Sequence, residues 1–135
     1  SIKGHVPEKD GILANLLVTE MVAKKKKPLS MIVKELEDKF GTLVSRRVNL
    51  KLEEVFKKKL MNELEVSPPT SIAGIKVEKV IRMDGVKFVL RDDSCLLIRP
   101  SGTEPILRIY FEADSMKKID AMAETIEEIV NRIRK

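Results

Sequence analysis

A chain of 135 residues, 43% hydrophobic and 35% charged, has the make-up of one ordinary domain or of one small domain plus a remnant, and is not that of a disordered polymer. A single cysteine excludes an intrachain disulfide, no apolar run approaches the roughly 20 residues a membrane-spanning helix needs, and the first residues lack a signal-peptide pattern, so a reducing cytoplasm is the expected location. The net charge of +5 is uneven: residues 1–64 hold 14 Lys/Arg against 9 Asp/Glu, and residues 65–135 hold 12 of each.

In chain order, Asp10-Gly11 opens a helical run that Pro28 stops. Ser30 is the expected cap of a second helix, in which Leu29, Ile32, Val33, Leu36 and Phe40 fall at helical spacing before Gly41 ends it. "LVSRRVNL" (43–50) reads as extended, and Asn49 as the cap of a third helix through Leu64, with Leu52, Val55, Phe56 and Leu60 on one face. "SPPTS" (67–71) is a turn or linker. The period then changes. "IKVEKVIRM" is strand-like, Asp84-Gly85 signals a hairpin, and "VKFVLR" alternates with Val86, Phe88 and Leu90 on one side. "CLLIR" is a short buried strand in which Cys95 serves as a small hydrophobe, and Ile106–Phe111 is a fourth strand with Arg108 and Tyr110 opposite Leu107, Ile109 and Phe111. Asp114 or Ser115 caps a last helix striped by Met116, Ile119, Met122, Ala123, Ile126, Ile129, Val130 and Ile133. The predicted class is α+β: a four-stranded antiparallel sheet with helices packed on one face, preceded by two helices left from an α/β domain.

The positive excess lies in Lys24–Lys27 and Lys57–Lys59. Solvated helix ends explain it, with Lys24–Lys27 complementing a helix C-terminus. A nucleic-acid patch is the competing reading; no aromatic residues interleave with these lysines and no binding motif surrounds them. A small basic α+β module for nucleic acid is therefore kept only as the alternative function.

The chemistry concentrates in "LLIRPSGTEPILRIYFEA" (96–113). Arg99 and Arg108 bring planar forks of N–H donors suited to phosphate. Ser101 and Thr103 add hydroxyls, and Gly102 is expected to let the backbone turn tightly and bring its N–H groups to an anion. Pro100 and Pro105 stiffen both ends of the loop. The spacing is not the G-x-x-x-x-G-K-S/T of a P-loop. "SGT" alone would be a plain turn; R-P-S-G-T-E-P followed by Arg108 points to an anion site.

"RPSGTEPILRIYFEA" resembles the phosphate-binding loop of the α-D-phosphohexomutases, the phosphoglucomutase and phosphomannomutase family, and "GHVPEKDGI" (4–12) resembles the end of that family's third domain. The resemblance implies a four-domain enzyme in which a phosphoserine passes its phosphate to a phosphosugar through a bisphosphorylated intermediate, assisted by Mg²⁺ on the second domain. These 135 residues hold neither a Ser-His-Asn-type nucleophile loop, nor a D-x-D-x-D-R metal loop, nor a Glu-x-Ser-Gly-Gly sugar loop. The chain is therefore expected to be a C-terminal fragment, with residues 1–44 the tail of the third domain and 45–135 the fourth. On that resemblance Arg99, Ser101, Gly102, Thr103 and Arg108 bind the non-reacting substrate phosphate, and Lys9 reaches the same phosphosugar. Glu104 is expected to orient one of the arginines, and His5 to make a sugar contact or a structural hydrogen bond. No catalytic residue and no metal ligand is expected here. The partner is a phosphosugar, with glucose phosphates favoured, and neither nucleic acid nor a membrane. Residues 1–44, without the sheet they would cover, are expected to self-associate.

Overall fold

Asp10 starts the first helix with its side chain, Oδ1 accepting from the Leu13 N–H at 2.9 Å, and α1 runs Gly11–Lys25. The computed structural model describes residues 2–134 of the chain. Lys26, in the left-handed region at φ 51°, closes α1 by donating its N–H to the Val22 carbonyl. The lysine run is largely neutralised: Lys24 pairs with Glu20 at 2.6 Å, and Lys25 and Lys27 both reach Glu35. Helix α2 (Leu29–Phe40) follows Pro28 directly and has no side-chain cap, so Ser30 sits inside the first turn instead of capping it. Gly41, at φ 90°, ends α2 by bonding the Glu37 carbonyl. Neither helix buries much. No residue of α1 is buried, Ile32 is the only one in α2, and Ile12, Leu16, Leu36 and Phe40 are exposed.

The chain divides into two units, Ser1–Gly41 and Thr42–Lys135, and the second holds all the strands. These are β1 (Val44–Lys51), β2 (Ser71–Ile72), β3 (Ile75–Ile81), β4 (Val86–Leu90), β5 (Cys95–Pro100) and β6 (Ile106–Ala113), in the order β1-β6-β5-β4-β3-β2, every pair antiparallel. The class is α+β as predicted, but the sheet has six strands and not four. Two edge strands account for the difference. The extended segment after residue 43 pairs along the whole of β6, from Val44↔Ala113 to Lys51↔Ile106, because Val44, Val48 and Leu50 alternate inward and pack on the core. At the other edge Ile72 pairs with Ile75 across a two-residue turn in which Ala73 and Gly74 both take positive φ, 52° and 73°. That is the geometry of the tight hairpin turns, here carried by an Ala-Gly pair that signals it weakly. The Ala73 N–H also bonds Thr125 Oγ1 at 3.1 Å, which ties this edge to the last helix.

Two helices cover one face. Helix α3 (Glu54–Val66) lies on β4, and α4 (Met116–Arg134) on β6 and β1. Leu60 and Leu64 of α3 and Ile119, Met122, Ile126 and Val130 of α4 join Phe88, Leu96, Ile98, Leu107, Ile109 and Phe111 in one core. Burying each such side chain contributes on the order of 1.5–3 kcal/mol, and this core is the rigid support of the β5–β6 loop. Asn49 does not cap α3: β1 carries the chain through Lys51, the helix begins at Glu54, and Asn49 stands in the sheet opposite Arg108. The shift in the helix start also leaves Val55 exposed instead of on the core face. Met116, at the start of the α4 stripe, is exposed as well. Cys95 is a free, buried thiol, and burial pushes its pKa up.

Candidate functional site

Strand alternation places the arginines. Ile98, Leu107 and Ile109 face the helices, so Arg99 and Arg108 emerge on the opposite, open face of the sheet. They are direct cross-strand partners in the β5–β6 register. Like charges placed directly opposite each other are unfavourable, and each guanidinium turns to its own carboxylate. Arg99 Nε lies 3.1 Å from Asp84 Oδ2, in the β3–β4 turn, and Arg108 Nη2 lies 3.0 Å from Glu104 Oε2, in the loop itself. Glu104 thus orients Arg108 and not Arg99. The Arg108 Nε is buried and donates to no atom among the described residues. Beside Arg108 the open face continues through Asn49, whose Oδ1 accepts from Arg47 Nε at 3.0 Å, and through Tyr110, whose ring lies 5.7 Å from the Arg47 guanidinium.

Between the strands the loop holds its shape by its own hydrogen bonds. The Ser101 N–H bonds the Ile106 carbonyl at 3.0 Å, the Glu104 N–H bonds Ser101 Oγ at 3.3 Å, and the Ile106 N–H bonds the Glu104 carbonyl at 2.8 Å. The Leu52 N–H reaches the Pro105 carbonyl at 3.1 Å and fastens the loop to the end of β1. Ser101 is buried, while Gly102 and Thr103 are exposed. The N–H groups of Gly102 and Thr103 donate to nothing among the described residues. Two adjacent free N–H groups are the kind of backbone donor pair an anion can use, and the strands that carry Arg99 and Arg108 flank the loop that holds them. The φ of Gly102 is not in the left-handed region, and an added Cβ would meet no atom within 4 Å. The turn itself tolerates a side chain there; what glycine leaves is open room beside the free N–H groups.

A cleft of 730 Å³ lies between the loop and α3, lined by Lys57, Lys58, Met61, Asn62 and residues 100–105 among others. Neither Arg99 nor Arg108 lines it, so cavity size alone would have drawn attention away from the arginines. Lys57, read from the sequence as a solvated lysine, is 5% exposed. Its Nζ donates to the Ser101 carbonyl at 3.1 Å and pairs with Glu54 Oε2 at 2.7 Å. The bond from Lys57 holds the Glu54 carboxyl below its ordinary range. Lys57 and Asp84 are the two site residues that sequence reasoning missed. Lys57 was hidden in a run of three lysines, and Asp84 in a hairpin signal.

Lys9 and His5 belong to the first unit. Lys9 is exposed and lines a small hollow of 220 Å³ with Glu8, Asp10, Leu13 and others. His5 Nε2 lies 3.2 Å from Oδ2 of Asp10, the residue that caps α1, which is the structural hydrogen bond of the two roles expected for it. The Asp10 carboxyl is held below its usual value, first by the Leu13 N–H. Among the described residues no three His, Cys, Asp or Glu side chains gather as a metal site requires. No described helix is long and apolar enough to cross a membrane.

Comparison with known proteins places this geometry in context. Residues 2–129 match the family described as phosphoglucomutase/phosphomannomutase, C-terminal domain. A Haemophilus influenzae protein named "Probable phosphomannomutase" is 33% identical over 127 residues, covering 86% of this chain and 26% of its own length. A Bacillus cereus protein named "Phosphoglucosamine mutase" is 32% identical over 126 residues, covering 93% of this chain and 24% of its own. The chain thus spans about a quarter of the length of the curated relatives it matches. Among solved structures, a phosphoglucomutase/phosphomannomutase family protein from Burkholderia thailandensis shares the fold with a TM-score of 0.55 at 21% identity, over 74% of this chain and 20% of that one.

Proposed function

The chain belongs to the phosphoglucomutase/phosphomannomutase family, and from that membership we propose that it is the C-terminal part of a phosphohexomutase whose β5–β6 loop holds the non-reacting phosphate of a hexose phosphate. In this reading residues 1–44 close the third domain and residues 45–135 form the fourth. The observation that carries the reading is the direct opposition of Arg99 and Arg108 beside the free N–H groups of Gly102 and Thr103. A phosphate between them satisfies both forks and both backbone donors, and turns a repulsive pair into a chelating one. The Ser101 and Thr103 hydroxyls complete the proposed contacts.

Interconversion of hexose 1-phosphate and hexose 6-phosphate, through a phosphoserine and a bisphosphorylated sugar, is then the activity of the whole protein, in a cytoplasmic setting. What this portion supplies is orientation: a bidentate grip on one phosphate fixes where the other end of the sugar points. Mg²⁺ belongs to the rest of the enzyme and enters no step argued from these residues. For the sugar, "GHVPEKDGI" favours glucose phosphates, while the relatives' names point to mannose and glucosamine phosphates. Pairing of Lys24, Lys25 and Lys27 with glutamates and burial of Lys57 count against the nucleic-acid alternative.

Titration of the ¹⁵N-labelled chain with inorganic phosphate tests the site. Amide shifts should centre on Ser101, Gly102 and Thr103, with roughly millimolar affinity, since a bare anion engages only part of a substrate's contacts. Shifts centred on Lys24–Lys27 instead would overturn it. Assay of the full-length protein with the three hexose phosphates assigns the sugar.

A further inference from the structure

We propose that Lys57 is a positioning residue that aims the Gly102 N–H at the bound anion, through its hydrogen bond to the Ser101 carbonyl. The inference rests on the anion reading above. Ser101 C=O and Gly102 N–H are the two ends of one peptide unit, and no described peptide bond is cis. In a trans peptide the carbonyl and the N–H point in opposite directions. Lys57 rises from α3 and takes the carbonyl at 3.1 Å, so the carbonyl points at the Lys57 ammonium and the N–H points away from that ammonium, although Gly102 itself also lines the cleft beside α3. The face away from the helices is the one that carries Arg99 and Arg108.

The lysine is suited to this task. It is nearly sealed from solvent, and Glu54 fixes its head at 2.7 Å. Nothing else among the described residues bonds the Ser101 carbonyl or the Gly102 N–H. Without Lys57 the peptide can rotate and present its carbonyl to the anion, which exchanges a donor for a repelling dipole. Lys57 therefore acts through the backbone and touches no ligand itself.

Two measurements on the 135-residue chain test this: residual dipolar coupling of the Gly102 N–H without phosphate, and titration with inorganic phosphate. Lys57→Met should change the Gly102 coupling, abolish the phosphate-induced shift of that amide and weaken phosphate binding roughly 3- to 10-fold, the worth of about one hydrogen bond. Lys57→Arg, which keeps donor and charge, should restore all three. If Lys57→Met does not fold, Lys57→Gln, a shorter neutral donor, takes the same measurements and should show the same losses to a smaller degree. Weaker binding with an unchanged Gly102 coupling would overturn the proposal and leave Lys57 only a nearby charge; unchanged coupling and affinity would overturn it outright. If the unsubstituted chain shows no phosphate response at the loop, the anion reading fails, and the coupling alone still decides whether Lys57 sets the peptide.

Discussion

Arg99 and Arg108 face each other across β5 and β6 as direct register partners, yet neither guanidinium is bonded to the other's carboxylate: Asp84 takes one at 3.1 Å and Glu104 the other at 3.0 Å. In the proposed reading an anion would sit between these two forks, each of which is held by its own acid. The quality of the fork, more than its charge, should then govern binding. Arg108→Lys keeps the charge and loses the bidentate geometry. Phosphate affinity of the chain should fall about tenfold, the scale of one charge-assisted hydrogen bond, with the melting temperature little changed. In the full-length enzyme the same substitution should lower kcat/KM. Unaltered titration and kinetics would reduce Arg108 to a surface residue.

In the proposed reading Asp84, which pairs with Arg99, competes with the anion for it. The pair is partly exposed, with 45% of the Arg99 side chain and 67% of the Asp84 side chain accessible, so it is worth no more than about 1 kcal/mol. Asp84→Asn should tighten phosphate binding by up to about fivefold at low ionic strength, an advantage that salt erases. Calorimetric titration at two salt concentrations reads both effects. Weaker binding in this variant would mean that Asp84 orients Arg99 instead of occupying it.

Two glycines near the site should behave in opposite ways. Gly85 sits at φ 104°, and a Cβ there would lie 2.3 Å from the Ile98 carbonyl oxygen on β5. Gly85→Ala should cost roughly 2–3 kcal/mol and lower the melting temperature by about 10 °C or more. Gly102→Ala meets no neighbour and needs no unusual φ. Its melting temperature should match that of the unsubstituted chain while phosphate affinity drops, because the methyl group occupies room the anion uses. Calorimetric melting and phosphate titration of both variants separate the support of the loop from its function.

Lys118 joins the end of β4 to the start of α4, bonding Asp92 Oδ2 at 2.6 Å and Asp114 Oδ2 at 2.7 Å. Burial acts to raise the Asp92 pKa, but the Lys118 and Ser94 bonds outweigh it and hold the carboxyl low; Asp114 is held low first by Lys118. Both acids have depressed folded-state values, so their contribution is complete above the ordinary aspartate range and is lost as pH falls through the lowered values. The Lys118 pKa is raised, first by Asp114 and then by Asp92. Its contribution is present below the ordinary lysine range and disappears only as pH rises through the raised value. Across neutral pH this cluster leaves stability flat. Lys118→Met should move acid unfolding, followed by circular dichroism, to higher pH, and an unmoved acid limb would show the cluster to be silent.

The first unit should exchange its amides faster than the second. Ile32 is the one buried side chain of α1 and α2, whereas β4, β5 and β6 are lined with side chains of near-zero exposure. Hydrogen exchange should release 11–40 well before 86–113. Equal protection in the two segments would mean that the apolar face of α1 and α2 is covered in solution, as self-association would do.

Much of this was legible in the chain. Strict alternation in Val86–Leu90 and Ile106–Phe111 gave strands with the correct inward faces, and the stripe from Ile119 to Ile133 gave the last helix. Edge strands were harder to read, since an edge is half-buried and its pattern half-expressed. In β1 every inward residue is only partly buried, and β2 is two residues long. The arginines and hydroxyls of the loop were readable because their spacing is local. Lys57 was not. Its significance comes from a carbonyl 44 positions away, and a lysine beside two other lysines has the pattern of a solvated face until the fold buries one of them.

The register of β1 against β6 also governs how the molecule assembles. β3, β4, β5 and β6 follow one another through short turns, so each can zip onto the strand before it, whereas β1 waits for Val44 to meet Ala113. Closing so long a stretch of chain costs entropy before the contact returns anything. The strand that comes first in the chain should therefore dock last, and Arg108 should acquire Asn49 as its neighbour only at that moment. Val48→Ala should accordingly hasten unfolding and leave the refolding rate nearly unchanged, while Leu96→Ala slows refolding; stopped-flow kinetics showing the reverse would place β1 in the nucleus. By the same reasoning, during synthesis the loop should form once β6 is made, and the rim beside Arg108 should be finished last.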